Sequence, residues 1–226
     1  MSGRPGRADR RPLGRRGRDR PSPPAGGDDQ SGLRESILAA TERLLAERSF
    51  AELAVSEILT AAGVSRGSFY FYFESKHDVL AELVRRAVSR GHQAAAPWLG
   101  GPGDQAAALR AGITAGAELW RASAPVLRAV VENWRTDPRL TALWLEQMQT
   151  FTDATLARIT ADPPTAQRLA GQDVAALASA LTWLGERLYY LAAIGSPPFD
   201  DQDTLVETLL FLWTSALGSR PGPVRP

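Results

Sequence analysis

The stretch that decides the fold runs from Ser56 to Lys76 and reads SEILTAAGVSRGSFYFYFESK. Its first seven residues form a short helical pattern, which Gly63 and Val64 then interrupt. Gly63 supplies the positive φ that a sharp turn requires, and Ser65 is a favourable N-cap for a second helix running to about Phe71. Two short helices around a glycine turn predict a helix-turn-helix, whose second helix enters the major groove of DNA.

Helical spacing extends over most of the chain on both sides of this motif. Apolar residues from Leu33 onward form one buried stripe, which predicts a first helix ending near Arg48. Alternation with period two is nearly absent, and clusters of Pro, Gly and Asp separate the later helical runs. The sequence therefore predicts an all-α protein of about nine helices.

The composition excludes several classes of protein. With 226 residues, 44% of them apolar, the chain can bury one large core or two small ones. The absence of cysteine excludes disulfides and cysteine nucleophiles, and two histidines argue against a histidine-rich metal site. No phosphate-binding glycine loop occurs, so no cofactor is expected. No apolar run approaches the roughly 20 residues that span a bilayer, so we expect a cytoplasmic protein without membrane contact.

The first 30 residues differ from the rest of the chain. Residues 1–20 contain eight arginines and two aspartates, a formal charge of +6 in a chain of net charge +1. Residues 1–30 have few apolar side chains, which predicts a disordered basic arm, and residues 219–226 predict a disordered tail. The arm suits a polyanion such as DNA, but it equally fits a solubilising tail without a partner.

The segment AGVSRGSFYFYFESK, from Ala62 to Lys76, resembles the recognition region of the TetR family of transcriptional regulators. The resemblance implies that three adjacent residues meet base edges: Arg66, Gly67 and Ser68. It implies that three others contact the DNA backbone: Tyr70, Tyr72 and Lys76. Arg66 is the best candidate for reading a base, since arginine forms two hydrogen bonds to guanine, although a solvated surface charge is the alternative. A half-buried, hydrogen-bonded tyrosine is the alternative for Tyr70 and Tyr72.

This segment departs from the family pattern at two positions. Relatives carry Thr or Ser where this chain has Ala54, and that hydroxyl caps the helix and touches a phosphate; Ser56 is expected to replace it only in part. Gly67 stands where many relatives have proline, so the recognition helix is expected to start less rigidly.

The same residues also match a pattern found in enzymes. Gly63 to Gly67 matches the G-x-S-x-G pattern of a hydrolase nucleophile elbow, with Ser65 as the nucleophile. The elbow needs a preceding strand and a distal histidine, and the sequence predicts a helix there and has histidines only at His77 and His92. The chain is therefore not expected to be an enzyme. A purely architectural DNA-binding protein is a further alternative, but it would not need a large aromatic C-terminal domain.

The C-terminal half is similar to the EthR subgroup of the same family. The similarity rests on residues 143–149, residues 181–188 and residues 209–218, and with the helix-turn-helix it covers about residues 33–218. It implies that a tunnel for a small apolar or amphiphilic effector is lined by twelve residues: Leu109, Ile113, Gly116, Trp120, Trp144, Met148, Phe151, Thr155, Thr182, Gly185, Glu186 and Trp213.

Three features of this wall differ from the relatives or invite a second interpretation. Relatives place ligand-binding asparagines where this chain has Thr182 and Gly185, which implies a different ligand. Gly116 replaces a bulky aromatic residue, which is expected to widen the tunnel. Glu186 and Arg187 are expected to form a buried ion pair with each other, and for Arg187 this structural role is the preferred interpretation.

The resemblance implies two functional domains between the terminal segments. Residues 31–76 form a three-helix DNA-binding domain, and residues 77–218 form a helical domain for ligand binding and dimerisation. The most apolar helical stretches, residues 173–194 and 203–217, are expected to pair with a second subunit, with Leu212 facing outward. The expected function is a repressor of operator DNA, released when a ligand changes the separation of two recognition helices.

Overall fold

The fold is described by a computed structural model that covers residues 27–100 and 105–218. This part of the chain contains ten α-helices, one 3-10 turn (Trp134–Thr136) and no strand, which confirms the all-α prediction. The helices are α1 (Gly27–Glu47), α2 (Val55–Ala62), α3 (Arg66–Tyr72), α4 (Lys76–Gly100), α5 (Gln105–Ala122), α6 (Ala124–Asn133), α7 (Pro138–Thr160), α8 (Pro163–Arg168), α9 (Val174–Ala193) and α10 (Gln202–Leu217). None of these helices is long and apolar enough to cross a membrane.

The structure differs from the sequence predictions in two details. α1 begins at Gly27, so residues 27–30 are helical although their composition predicted disorder. Once a helix is nucleated by packing, adding a further residue costs little, which composition alone does not reveal. The described residues hold ten helices where about nine were expected, and the shortest of them is the six-residue α8. Residues 1–26 and 219–226, for which disorder was predicted, lie outside the described residues.

Aspartate caps fix the starts of the later helices. The carboxylates of Asp137, Asp162, Asp173 and Asp201 each accept hydrogen bonds from backbone N–H groups in the first turn of α7, α8, α9 and α10. These N–H groups have no partner inside their own helix, so each carboxylate satisfies a donor and lies at the positive end of the helix dipole. The caps set where the helices of the C-terminal half begin.

One buried apolar cluster crosses the expected domain boundary near residue 76. It contains Ile37 and Phe69 from the first three helices and continues to Leu140 and Met148 on α7. There are two smaller apolar clusters. One joins α5, α9 and α10, and the other joins α7, α9 and α10. The division into two domains stays a prediction, but the helices on either side of it pack against one core.

Candidate functional site

The helix-turn-helix has the local geometry that its sequence predicts. Gly63 follows α2 with φ 66°, the left-handed conformation that glycine adopts without steric cost. Ser65 is the N-cap of α3, and its Oγ accepts a hydrogen bond from the Ser68 backbone N–H at 3.0 Å. Val64 packs against the large apolar cluster that contains Ile37 and Phe69, called the main core below. The turn is therefore held by this packing as well as by the Ser65 cap.

The seven-residue helix α3 separates buried from exposed side chains. Phe69 is fully buried, and Phe73, just after α3, is 5% exposed. Arg66 and Tyr70 lie on the outside, with the Arg66 guanidinium 5.6 Å from the centre of the Tyr70 ring. A guanidinium held near an aromatic ring is partly oriented before it meets a ligand. The structure therefore presents Arg66 and Tyr70 together on the outer face.

Ser68 and Tyr72, two other candidates for DNA contact on α3, are less accessible to a ligand than Arg66 and Tyr70. The Ser68 hydroxyl lies 2.9 Å from the Ser65 hydroxyl and is part of the cap. Tyr72 is half-buried against the main core, and its ring meets the Phe71 ring edge-on at 4.9 Å. Gly67 is exposed, and a Cβ at this position would have open space apart from Ser65 Oγ at 3.8 Å.

Sequence reasoning missed Phe71. This side chain, the last but one of α3, is 72% exposed, although a large apolar residue normally gains by burial. The helical spacing could have found it, since Phe69 and Phe73 face inward and Phe71 lies halfway between them. α3 thus presents an apolar ring beside the polar side chains of Arg66 and Tyr70.

At the start of α2, Glu57 makes a capping hydrogen bond although residue 54 lacks the capping hydroxyl of the relatives. Ala54 is the N-cap and has no capping side chain, but its backbone N–H donates to Glu57 Oε2 at 2.8 Å. Glu57 also pairs with Arg48 at the end of α1. Ser56 is exposed in the first turn, as a phosphate contact requires.

Lys76 has a different environment from the one that the sequence predicted. Its ammonium donates to the backbone carbonyls of Phe50, Ala51 and Leu53 at 2.8, 3.1 and 2.8 Å. Burial lowers the pKa of Lys76, and the negative charge of Glu57 opposes that shift. Because all three protons have acceptors inside the chain, Lys76 ties the start of α4 to the loop before α2 and is not aimed at a phosphate.

A cavity of about 180 Å³ lies among α4, α5, α6, α7, α9 and α10. All twelve residues that the resemblance assigned to the tunnel line this one cavity. Nine further residues complete the wall, and sequence reasoning had not singled them out: Val88, Gly91, Gly112, Leu119, Leu127, Gln147, Ala154, Leu181 and Tyr189. Most of the wall is apolar.

Few polar groups interrupt this wall. The Trp144 Nε1–H is buried and has no hydrogen-bond partner among the described residues. The Thr182 hydroxyl is occupied, since it donates to the Ala178 carbonyl at 2.9 Å. Glu186 is 7% exposed, and burial raises the pKa of its carboxyl group. The residues of the wall therefore include a carboxyl group and an indole whose buried N–H has no partner.

The expected widening at Gly116 is wrong, because Tyr189 takes the space. A Cβ on Gly116 would lie 2.7 Å from the Tyr189 hydroxyl oxygen, which donates to the Ile113 carbonyl at 3.0 Å. The Tyr189 ring also stacks on Trp120, with 6.2 Å between the ring centres. Burial raises the pKa of Tyr189, so its hydroxyl stays protonated. The glycine is needed so that α5 can accept the tyrosine from α9.

The expected ion pair of Glu186 and Arg187 is present, but only its carboxylate is buried. Arg187 Nε lies 3.9 Å from Glu186 Oε2, but the Arg187 side chain is 53% exposed. Its guanidinium lies 5.1 Å from the Tyr190 ring centre. Successive residues on a helix point in different directions, so Arg187 faces outward while Glu186 faces the cavity.

Two helices connect the cavity to the helix-turn-helix. α4 contributes Val88 and Gly91 to the cavity and begins at Lys76. α7 contributes Trp144 and begins near Arg139, whose guanidinium donates to Glu74 at 2.6 Å and to Asp78 at 2.9 Å. A change in the cavity wall therefore has two rigid paths to the segment that follows α3.

This architecture is that of a helix-turn-helix DNA-binding protein with a helical domain around a cavity. A family model described as "Bacterial regulatory proteins, tetR family" matches residues 37–83, and one described as "Transcriptional regulator EthR, C-terminal domain" matches residues 109–218. The HTH-type transcriptional regulator EthR of Mycolicibacterium smegmatis is 33% identical over 214 residues, which cover 92% of this chain and 93% of that protein. The EthR of Mycobacterium tuberculosis is 31% identical over 208 residues, covering 91% of this chain and 93% of that protein.

A solved structure of similar fold is a TetR-family regulator from Syntrophomonas wolfei. It has a TM-score of 0.67 and 14% identity, and the match covers 84% of this chain and 97% of that one. The chain belongs to the TetR family of DNA-binding transcriptional regulators and is EthR-like within it. These relatives are regulators and not enzymes, and Ser65, the nucleophile of the hydrolase alternative, is a helix cap.

Proposed function

We propose that this regulator is a homodimeric repressor that leaves its operator when a small apolar molecule enters the cavity. The observation that carries the proposal is the cavity itself, since it is apolar, close to the helices that hold α3, and lined by all twelve expected residues. An architectural DNA-binding protein would have no use for such a space, which lowers the packing density of its core.

The proposed DNA contacts centre on the outer face of α3. Arg66 reads a guanine through two hydrogen bonds, and Tyr70 contacts the sugar-phosphate backbone. Gly67 lets the helix approach the bases closely, and Ser68 adds a contact from the cap. Phe71 extends this surface with an apolar group suited to a thymine methyl. Ser56 and Tyr72 contribute backbone contacts at the edge.

The proposed dimer forms through α9 and α10. Phe211 is 64% exposed on α10, whereas Leu212, the residue expected to face outward, packs against the cluster beneath. Two copies of this helix pair would form an isologous four-helix interface. Sedimentation at tens of micromolar tests it: the wild type should be dimeric and Phe211→Glu monomeric and folded, whereas a monomeric wild type would contradict the interface.

The proposed mechanism has two states. In the empty state the two recognition helices of a dimer fit successive major grooves, about one helical turn apart. A ligand that prefers a wider separation removes one of the two contacts, and it shifts the population by its difference in affinity for the two states. The exchange releases DNA without unfolding either half.

The decisive experiment begins with selection of bound fragments from the genome that encodes the chain. On the selected operator, Arg66→Ala should weaken binding by about 1–3 kcal/mol, while binding to random duplex stays nearly unchanged. Arg121→Ala is the matched control, because it removes an exposed arginine at the end of α5, in the other half of the chain. Equal losses on operator and random DNA would remove Arg66 from base reading.

Release is tested on the same operator with apolar compounds of one or two rings. A compound that fills the cavity should raise the melting temperature and lower DNA affinity together. Stabilisation without loss of DNA binding would contradict the effector role and leave an architectural DNA-binding protein as the better account.

A further inference from the structure

Among the side chains that the structure describes along the cavity wall, Glu186 is the only acidic one, and none of them is a lysine, arginine or histidine. It lies on α9 and is 7% exposed. A carboxylate taken out of water is costly unless a positive charge or hydrogen-bond donors compensate it. The placement of Glu186 therefore calls for a compensating group.

Arg187 compensates Glu186 only weakly. The separation of 3.9 Å is too long for a hydrogen bond, and the guanidinium lies against the Tyr190 ring at the surface. Water screens a charge in that position, so its attraction for the carboxylate is small. Burial raises the pKa of Glu186 in spite of Arg187, as expected for a carboxyl group short of positive partners.

The rest of the wall also suits a cation. Trp120, Trp144, Trp213 and Tyr189 bring aromatic rings to the cavity, and the negative face of an aromatic ring attracts an ammonium group. The same wall disfavours an anion, which would meet Glu186 with no cationic side chain among the described lining residues to balance it. An uncharged molecule would gain nothing from the carboxylate beyond a single hydrogen bond.

We propose that the effector of this regulator is a lipophilic amine, whose ammonium group pairs with Glu186 while its apolar part lies against the aromatic wall. This inference rests on the proposed function, which makes the cavity the effector site. The volume of the cavity limits the size of the effector, since a cavity of about 150 Å³ holds a benzene molecule. A space of about 180 Å³ takes one ring with a short chain.

The charge preference is tested with three probes that share one skeleton: 3-phenylpropylamine, 3-phenylpropanol and 3-phenylpropionate. Calorimetric titration of the full chain should give an affinity for the amine at least tenfold above that for the alcohol, and the weakest binding for the anion. Glu186→Gln keeps the shape and removes the charge, so the amine should lose its advantage over the alcohol in this variant.

Glu146→Gln is the matched control, since it removes an exposed carboxylate from α7 without touching the cavity. The wild-type preference should persist in it. Equal binding of amine and alcohol, an unchanged preference in Glu186→Gln, or binding of none of the probes would overturn the amine assignment. Thermal melting of each variant shows whether it is folded.

A parallel DNA-release assay distinguishes a failure of the amine assignment from a failure of the proposed effector mechanism. If the amine binds through Glu186 but DNA stays bound, the ligand class stands and the effector mechanism fails. If the alcohol releases DNA as well as the amine does, the effector mechanism stands and the amine assignment fails.

Discussion

The two ends of the molecule are packed in opposite ways. Around α3 the core side chains Leu38, Ile58 and Phe69 are at most 1% exposed, and the caps of the short helices satisfy their donors. Around the cavity the chain leaves about 180 Å³ open and an indole N–H without a partner. The DNA-reading end is suited to move as a rigid body, and the cavity end is suited to change shape.

This difference assigns separate tasks to the two regions. A close-packed region resists deformation because any shift creates voids or clashes, so it holds its surface geometry constant. A region with open volume can rearrange its wall when a molecule enters, with small cost to its packing. In the mechanism proposed above, regulation requires only that the deformable region around the cavity move the close-packed region around α3, through α4 and α7.

The largest expected effect is on the free energy of unfolding, and it is seen by comparing substitutions of two phenylalanines, one in each region. Phe69→Ala removes a fully buried ring from the rigid region and should lower the free energy of unfolding by about 3–5 kcal/mol. Phe151→Ala trims the cavity wall, where part of the ring already faces open space, and should cost only about 1–2 kcal/mol. Urea denaturation of both variants measures the difference, and equal losses would contradict the contrast in packing.

A smaller effect is expected at Lys76. Lys76→Met keeps the apolar stem but removes the ammonium from three backbone carbonyls, which should cost about 2 kcal/mol of stability. Operator affinity should fall only as far as the fold loosens, and its salt dependence should be unchanged. A salt slope reduced by about one would show that Lys76 also releases a counterion from a phosphate, as the family resemblance implied.

The predictable features of this protein are local ones. The Gly63 turn and the Ser65 cap depend on residues within one helical turn, so the sequence was enough to predict them. The fit between Gly116 and Tyr189 and the contact of Lys76 with the loop at residues 50–53 join distant parts of the chain, and neither follows from helical spacing. The cavity wall was predicted through resemblance, because spacing alone does not distinguish a lining aromatic residue from a core one.

The smallest effect on stability and the sharpest effect on coupling are expected at Arg139. This residue ties the start of α7 to Glu74 and Asp78 beside α3, but all three partners are at least partly exposed, so the link adds little to folding. Arg139→Ala should leave the melting temperature and operator affinity nearly unchanged, while a cavity ligand releases DNA severalfold less efficiently. Arg110→Ala, which breaks an exposed pair with Glu207 between α5 and α10, is the control and should leave release intact. If both variants respond to the ligand like the wild type, the movement reaches α3 through α4 alone.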